Sequence, residues 1–160
     1  MKHRQISRLL LTAGGIAFVG AAFLMFVYAP ILGQDCAAMY PELSYLYWPM
    51  LIGVWALGLV YLAAVALYMR ISLRIGQNRS FCPENVRGMQ SISRLLAVAA
   101  AVEALVVPGL RLAGIDLGGP VWLMLLLLAL ATAAVALLAY CLSALLHHAV
   151  QLQEDSDLTV

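Results

Sequence analysis

Charge is what this sequence has least of. Only 11% of its 160 residues are Asp, Glu, Lys or Arg, where a soluble domain carries roughly a quarter. A deficit of that size excludes an ordinary water-soluble domain. Cysteine and histidine are equally sparse, at three each. Cys36, Cys82 and Cys141 fall in an outer loop, an inner loop and an apolar run, too far apart to form a metal set. The chain also lacks a Ser-His-Asp arrangement, an H-E-x-x-H helix, a Gly-rich phosphate loop and any Cys/His metal spacing. Nothing in it argues for catalysis, a metal or a cofactor, so the expectation is a protein that is not an enzyme.

What it does have is apolar length. Hydrophobic residues make up 64% of the chain and the mean hydropathy is +0.96. A membrane-crossing helix needs about 20 mostly apolar residues, and four runs reach that length: 9–32, 49–69, 95–115 and 121–146. Little is left for an aqueous domain. The reading is therefore all-α: one polytopic membrane domain over residues 1–160, built as a four-helix transmembrane bundle. The first run exceeds the core of a signal peptide, and no small-x-small cleavage site follows it. Asp35 before Cys36 spoils the lipoprotein-like "LGQDC". The first span is thus expected to be retained.

Placement of the charges sets the expected topology. Lys2, Arg4 and Arg8 precede the first run, and Arg70, Arg74, Arg79, Arg87 and Arg94 lie between the second and third. Only Arg111 lies toward the other side. Cytoplasmic loops are the ones enriched in Lys and Arg, so both termini, the 70–94 loop and the 147–160 tail should be cytoplasmic. The first outer loop has no Lys or Arg and carries Tyr40, Tyr45, Tyr47 and Trp48, which suit a membrane interface. In a bacterium the location would be the inner membrane. Cys36 would let two copies cross-link in an oxidising compartment, the one pointer to a homo-oligomer.

Membrane helices associate through small residues that let backbones approach. The fourth run offers Ala129, Ala133, Ala136, Ala139 and Ser143, the third Ala97, Ala100, Ala101 and Ala104, and the first Ala13, Ala17 and Ala21. Plain helix packing explains these stripes. "ISRLL" occurs at 6–10 and again at 92–96, at the entry to each outward-going span. That is the mark of a parallel repeat of two hairpins, or of two entries with the same need for a basic residue followed by leucines.

Glu103 is the one acidic residue deep in a predicted span. Such a group faces protein or a watery cavity, or is protonated. Arg111, eight residues on, either snorkels outward or pairs with it. A transporter needs several polar groups at mid-depth and only this one is present, which favours a structural carboxyl over an ion-coupled transport site. His147 and His148 are adjacent, so they point about 100° apart, and the helix C-terminus accounts for them.

Two segments outside the spans carry more information. In "RSFCPENVRGMQSISR", Gly76 and Asn78 can end the second helix and Pro83 suits the first position of the next. Glu84 complements that helix's positive end, while Cys82 stands at the capping position. Val86, Met89 and Ile92 then recur beside a basic face of Arg87 and Arg94. The helix should run unbroken into the third span, with its first turns in the cytoplasm. The tail "HHAVQLQEDSDLTV" leaves the membrane as a helix, turns acidic at Glu154, Asp155 and Asp157, and closes with Leu158 and Val160.

At these two segments the sequence resembles a family of bacterial membrane proteins, domain of unknown function 2975. The resemblance is carried by Phe81, Glu84, Asn85 and Val86 in the first and by Glu154, Asp157, Leu158 and Val160 in the second, with Cys82 where the family commonly has Ser. It implies a four-span protein often encoded beside a small helix-turn-helix regulator of the Cro/CI type. The expectation that follows is a membrane partner of such a regulator. Its docking surface would comprise Phe81, Glu84, Asn85, Val86, Arg87, Met89, Glu154, Asp155, Asp157, Leu158 and Val160, with no direct contact to nucleic acid. An ion-coupled transporter using Glu103 and a structural subunit of a larger membrane complex are the alternatives.

Overall fold

The computed structural model describes residues 2–77, 83–115 and 119–157. Every described element is helical: α1 (Lys2–Phe23), a π-helical turn (Leu24–Tyr28), α2 (Ala29–Met39), a 3-10 turn (Pro41–Leu46), α3 (Tyr47–Gly76), α4 (Pro83–Leu112) and α5 (Gly119–Asp157). The expected all-α class is present. Four of its helical stretches are long and apolar enough to cross a membrane: Arg8–Met39, Pro41–Gly76, Pro83–Leu112 and Trp122–Leu152. The chain divides into two units, 1–76 and 77–160, and each is an antiparallel helical hairpin.

In the first hairpin, Pro30 dictates the irregularity. A proline has no N–H and its ring crowds the preceding turn. The chain absorbs it by widening one turn, so that the Ala29 N–H reaches back to the Leu24 carbonyl. The Met25 carbonyl then loses both backbone donors within its reach: Ala29 is engaged with Leu24 and Pro30 has nothing to donate. In hydrocarbon an unsatisfied backbone group costs several kcal/mol. The Trp55 indole N–H, on α3, donates to the Met25 carbonyl at 3.1 Å. The Trp55 ring also lies 6.3 Å from that of Phe26.

The seam between α1–α2 and α3 is made by glycines rather than by the expected alanine stripe. Gly14 faces Tyr68 and Met69, Gly58 faces Met25, and Gly33 faces Tyr47, which together set the antiparallel register. Ala13 and Ala17 are exposed and Ala21 is half-buried, because Gly14 on α1 and Met25 on the π-helical turn occupy the inward face instead. A Cβ on Gly58 would stand 2.5 Å from Met25 Sδ. Gly58→Ala should therefore destabilise the hairpin by about 1 kcal/mol through overpacking. Thermal unfolding in detergent reads this directly, and in a Met25→Ala background the added cost of Gly58→Ala should largely disappear, because the side chain it meets is gone.

In the second hairpin α4 packs along α5. Besides the half-buried Ala149, the buried and half-buried positions described on α5 are Trp122, Leu125, Ala129, Thr132, Ala136, Ala139, Ser143, Leu146 and Val150. These alternate by three and four residues from Trp122 to Val150. On α4 Asn85, Met89, Ile92, Leu96, Ala99 and Glu103 do the same. A 3.5-residue period is that of left-handed coiled-coil packing. The Ser93 hydroxyl donates to the Ala136 carbonyl at 3.0 Å, a side-chain bond to the facing backbone that a bulky residue at 136 would block. The expected α5 stripe is thus largely confirmed as buried, apart from Ala133, which is exposed.

The ends of α4 follow local chemistry. It starts at Pro83, with Glu84 in its first turn. Its last turn closes at Leu112, three residues short of the expected limit. Gly114 has φ +75°, its N–H bonds the Arg111 carbonyl at 3.0 Å, and the Ile115 N–H bonds the Leu110 carbonyl at 3.0 Å. That is a Schellman stop, with Gly in the left-handed position and the buried Ile115 as the accompanying apolar residue. Pro108 lies inside the helix without ending it. At 1.5 Å per residue, the 39 residues of α5 extend about 58 Å and the 30 of α4 about 45 Å. Both exceed a hydrocarbon core of about 30 Å, and a helix along the membrane normal would cross it with turns to spare.

Candidate functional site

The Ser93–Ala136 bond fixes the register of the second hairpin. Stepping back along α4 and forward along α5 from that pair brings the start of α4 level with residues near 143–146. The segment Pro83–Arg94 and the last turns of α5 therefore lie at one end of the same hairpin. These two segments, far apart in sequence, are the ones expected to form a docking surface.

Within them the structure sorts the candidate residues. Asn85 and Val86 are buried, at 1% and 5% exposure, so they hold the hairpin together and are not offered to a partner. Ser143 and Val150 are buried as well, at 2% and 6%. Glu84 and Arg87 are exposed, and Met89 is half-buried. Arg94 is exposed one heptad after Arg87, and the Ser91 hydroxyl between them donates to the Arg87 carbonyl at 2.9 Å. Glu154, Asp155 and Asp157 lie on the final turns of α5, which stays helical through Asp157. Glu154 stands about twelve residues beyond the level of Arg87, or about 18 Å along the axis. The acidic turns therefore extend past the Arg87 and Arg94 level of their own hairpin. Phe81, Leu158 and Val160 lie outside the described residues.

The sequence pattern left one exposed apolar group unnoticed. Leu145 and Leu152 are 66% and 71% exposed and stand seven residues apart, on one face of α5. Their spacing was legible, but only the register with α4 shows that this face is left uncovered by the hairpin.

Glu103 is buried at 6% exposure, as expected of a carboxyl deep in a span. The Arg111 guanidinium lies over the Trp122 ring, 5.2 Å from the centroid, in cation–π geometry. His147 and His148 are exposed with ring centroids 6.4 Å apart, and the His147 Nε2 lies 3.3 Å from Gln151 Nε2. Among the described residues, no three His, Cys, Asp or Glu side chains converge as a metal site.

One concavity runs along the α4–α5 hairpin, a groove of about 560 Å³. Its α4 wall is Ser93, Ala97, Ala100, Ala101 and Ala104; its α5 wall includes Leu126, Leu130, Ala133, Leu137 and Tyr140. Of the α4 alanines expected to mediate helix packing, Ala100 is buried as expected, while Ala97, Ala101 and Ala104 are exposed and form the α4 rim of the groove.

Four long apolar helices paired into hairpins define a multi-pass helical membrane protein. The profile of the family described as protein of unknown function (DUF2975) matches residues 31–160, and the chain belongs to that family. The match covers both motif segments and begins just after Pro30. No curated protein and no solved structure matches the chain.

Proposed function

We propose that this protein is a bacterial inner-membrane partner of a small cytoplasmic helix-turn-helix regulator, with both termini and the 70–94 loop in the cytoplasm. The observation that carries the reading is that the start of α4 and the last turns of α5 lie at one end of the second hairpin, the acidic turns about 18 Å beyond Arg87 along the axis. The topology is supported by eight of the nine Lys and Arg residues lying in the terminal and central segments. The regulator itself comes from the family association.

The acidic turns at Glu154, Asp155 and Asp157 would compete with DNA phosphates for the regulator's basic surface, as complementary charge does at interfaces. Apolar contact would come from Leu152, with Leu158 beyond it, rather than from the buried Val86. Asn85 and Val86 hold the hairpin in the register that presents these groups. An event in the outer loops or in the hairpins would change the presentation of α5.

Co-purification of the full chain and of a form lacking residues 154–160 tests this. The full chain should retain the regulator, the shortened form should lose it, and rising salt should weaken retention as it screens exposed charge. Equal retention by both forms would sink the docking mechanism.

A further inference from the structure

The α4–α5 groove carries an inference that goes beyond the proposed regulator and needs neither that partner nor the sidedness of the membrane. We propose that it is a site for one anionic phospholipid, with an acyl chain lying between α4 and α5 and the phosphate held by Arg94 and Arg87. The groove is open along one side and almost wholly apolar, lined by alanine and leucine with Ser93 and Tyr140 at one end. From Ser93 to Ala104 it extends about 17 Å along α4, close to half of the ~30 Å hydrocarbon core. That is the depth one leaflet's acyl chain must fill.

The charge next to its Ser93 end selects the headgroup. Arg94 precedes Ala97 and Ala101 by three and seven residues, so all three share one face of α4. Arg87 lies one heptad farther out, and both arginines are exposed. Tyr140, 61% exposed, stands on the opposite wall at the same end and offers a hydroxyl. A guanidinium matches a phosphodiester through two parallel N–H donors, and the phenol supplies a third donor. A zwitterionic lipid carries a cationic group that two arginines repel, so the site favours a headgroup with net negative charge. Each arginine near a membrane surface contributes about a fivefold preference for anionic lipid.

The test uses the full chain in a neutral detergent, free of soluble partners, titrated with phosphatidylglycerol or phosphatidylcholine of the same chains and read by native mass spectrometry. Phosphatidylglycerol should bind more tightly. Arg94→Gln should weaken it about fivefold and Arg87→Gln with Arg94→Gln further, both weakening phosphatidylcholine less and so narrowing the preference between the two lipids. Arg94→Lys should retain most of the preference. Ala101→Leu fills the groove and should weaken both lipids, and Ala97→Leu serves where the first variant fails to fold. Excess inorganic phosphate should not displace the lipid, because the chain supplies much of the binding. The proposal is overturned if the two lipids bind alike, if the leucine variants bind phosphatidylglycerol normally, or if phosphate alone displaces it.

Discussion

Trp55→Phe should lower the unfolding free energy by about 3 kcal/mol, the upper end for leaving a buried acceptor without its donor. The ring is largely conserved by this change, so packing against Phe26 persists while the indole N–H is lost. What remains is the Met25 carbonyl, which the Ala29 N–H has abandoned for Leu24 and Pro30 cannot serve. Water would rescue such a group at a protein surface, but the hydrocarbon core holds none. The decisive experiment pairs the change with Pro30→Ala. Alanine at 30 restores a backbone N–H able to reach Met25, so the double variant should be more stable than Trp55→Phe alone. A cycle of denaturation measurements in detergent checks this. Simple additivity of the two changes would show that the indole bond to Met25 does not hold the widened turn.

Ala136→Leu should cost about 2–3 kcal/mol, because it combines overpacking with the loss of a helix–helix hydrogen bond. Ala136 is 5% exposed and its carbonyl receives the Ser93 hydroxyl at 3.0 Å. A leucine there forces α4 and α5 apart along the whole heptad seam. Ser93→Ala removes the bond without adding volume and should cost only about 0.6 kcal/mol, the average for interhelical hydrogen bonds in a membrane. The difference between the two variants separates close packing from the hydrogen bond. Because Asn85 and Val86 lie on the same seam, Ala136→Leu should also disturb the end of the hairpin that presents Glu154 and its neighbours. Proteolysis after residue 150 should then become faster than in the parent.

Much of the fold was legible because it depends on local chemistry. Pro83 could open a helix and nothing between Glu84 and Leu112 needed to stop it; Pro108 sits inside the helix without breaking it. Gly114 had the residue type for a left-handed stop, yet the apolar run continues to Ile115, and hydropathy alone placed the end there. The correct limit required the Schellman bonds, which are a matter of backbone geometry. Ala13 and Ala17 illustrate a different failure. Spacing shows which residues share a face, but not which face a neighbouring helix covers, and Gly14 with Met25 took that role.

The candidate site divides along the same line. Glu84, Asn85 and Val86 were recognised together as a motif, although the structure separates an exposed carboxylate from two residues buried in the seam. A motif records which residues occur together, whatever physical demand each one meets. The partner of Trp55 left no pattern at all in the sequence, since Met25 contributes a backbone carbonyl and lies thirty residues away.

By itself, then, the sequence determined that this chain is helical, that it carries several membrane-crossing runs and that the helix of the third opens at Pro83. Hydropathy, charge placement and capping act through a residue and its near neighbours, and the solvent imposes them wherever the chain finally packs. Tertiary structure alone decided which alanines are buried and which line a groove, and where the acidic end of α5 stands relative to Arg87 and Arg94. It also decided how the carbonyl freed by Pro30 is satisfied. Those outcomes depend on the register between helices, and a register is settled only when two surfaces meet.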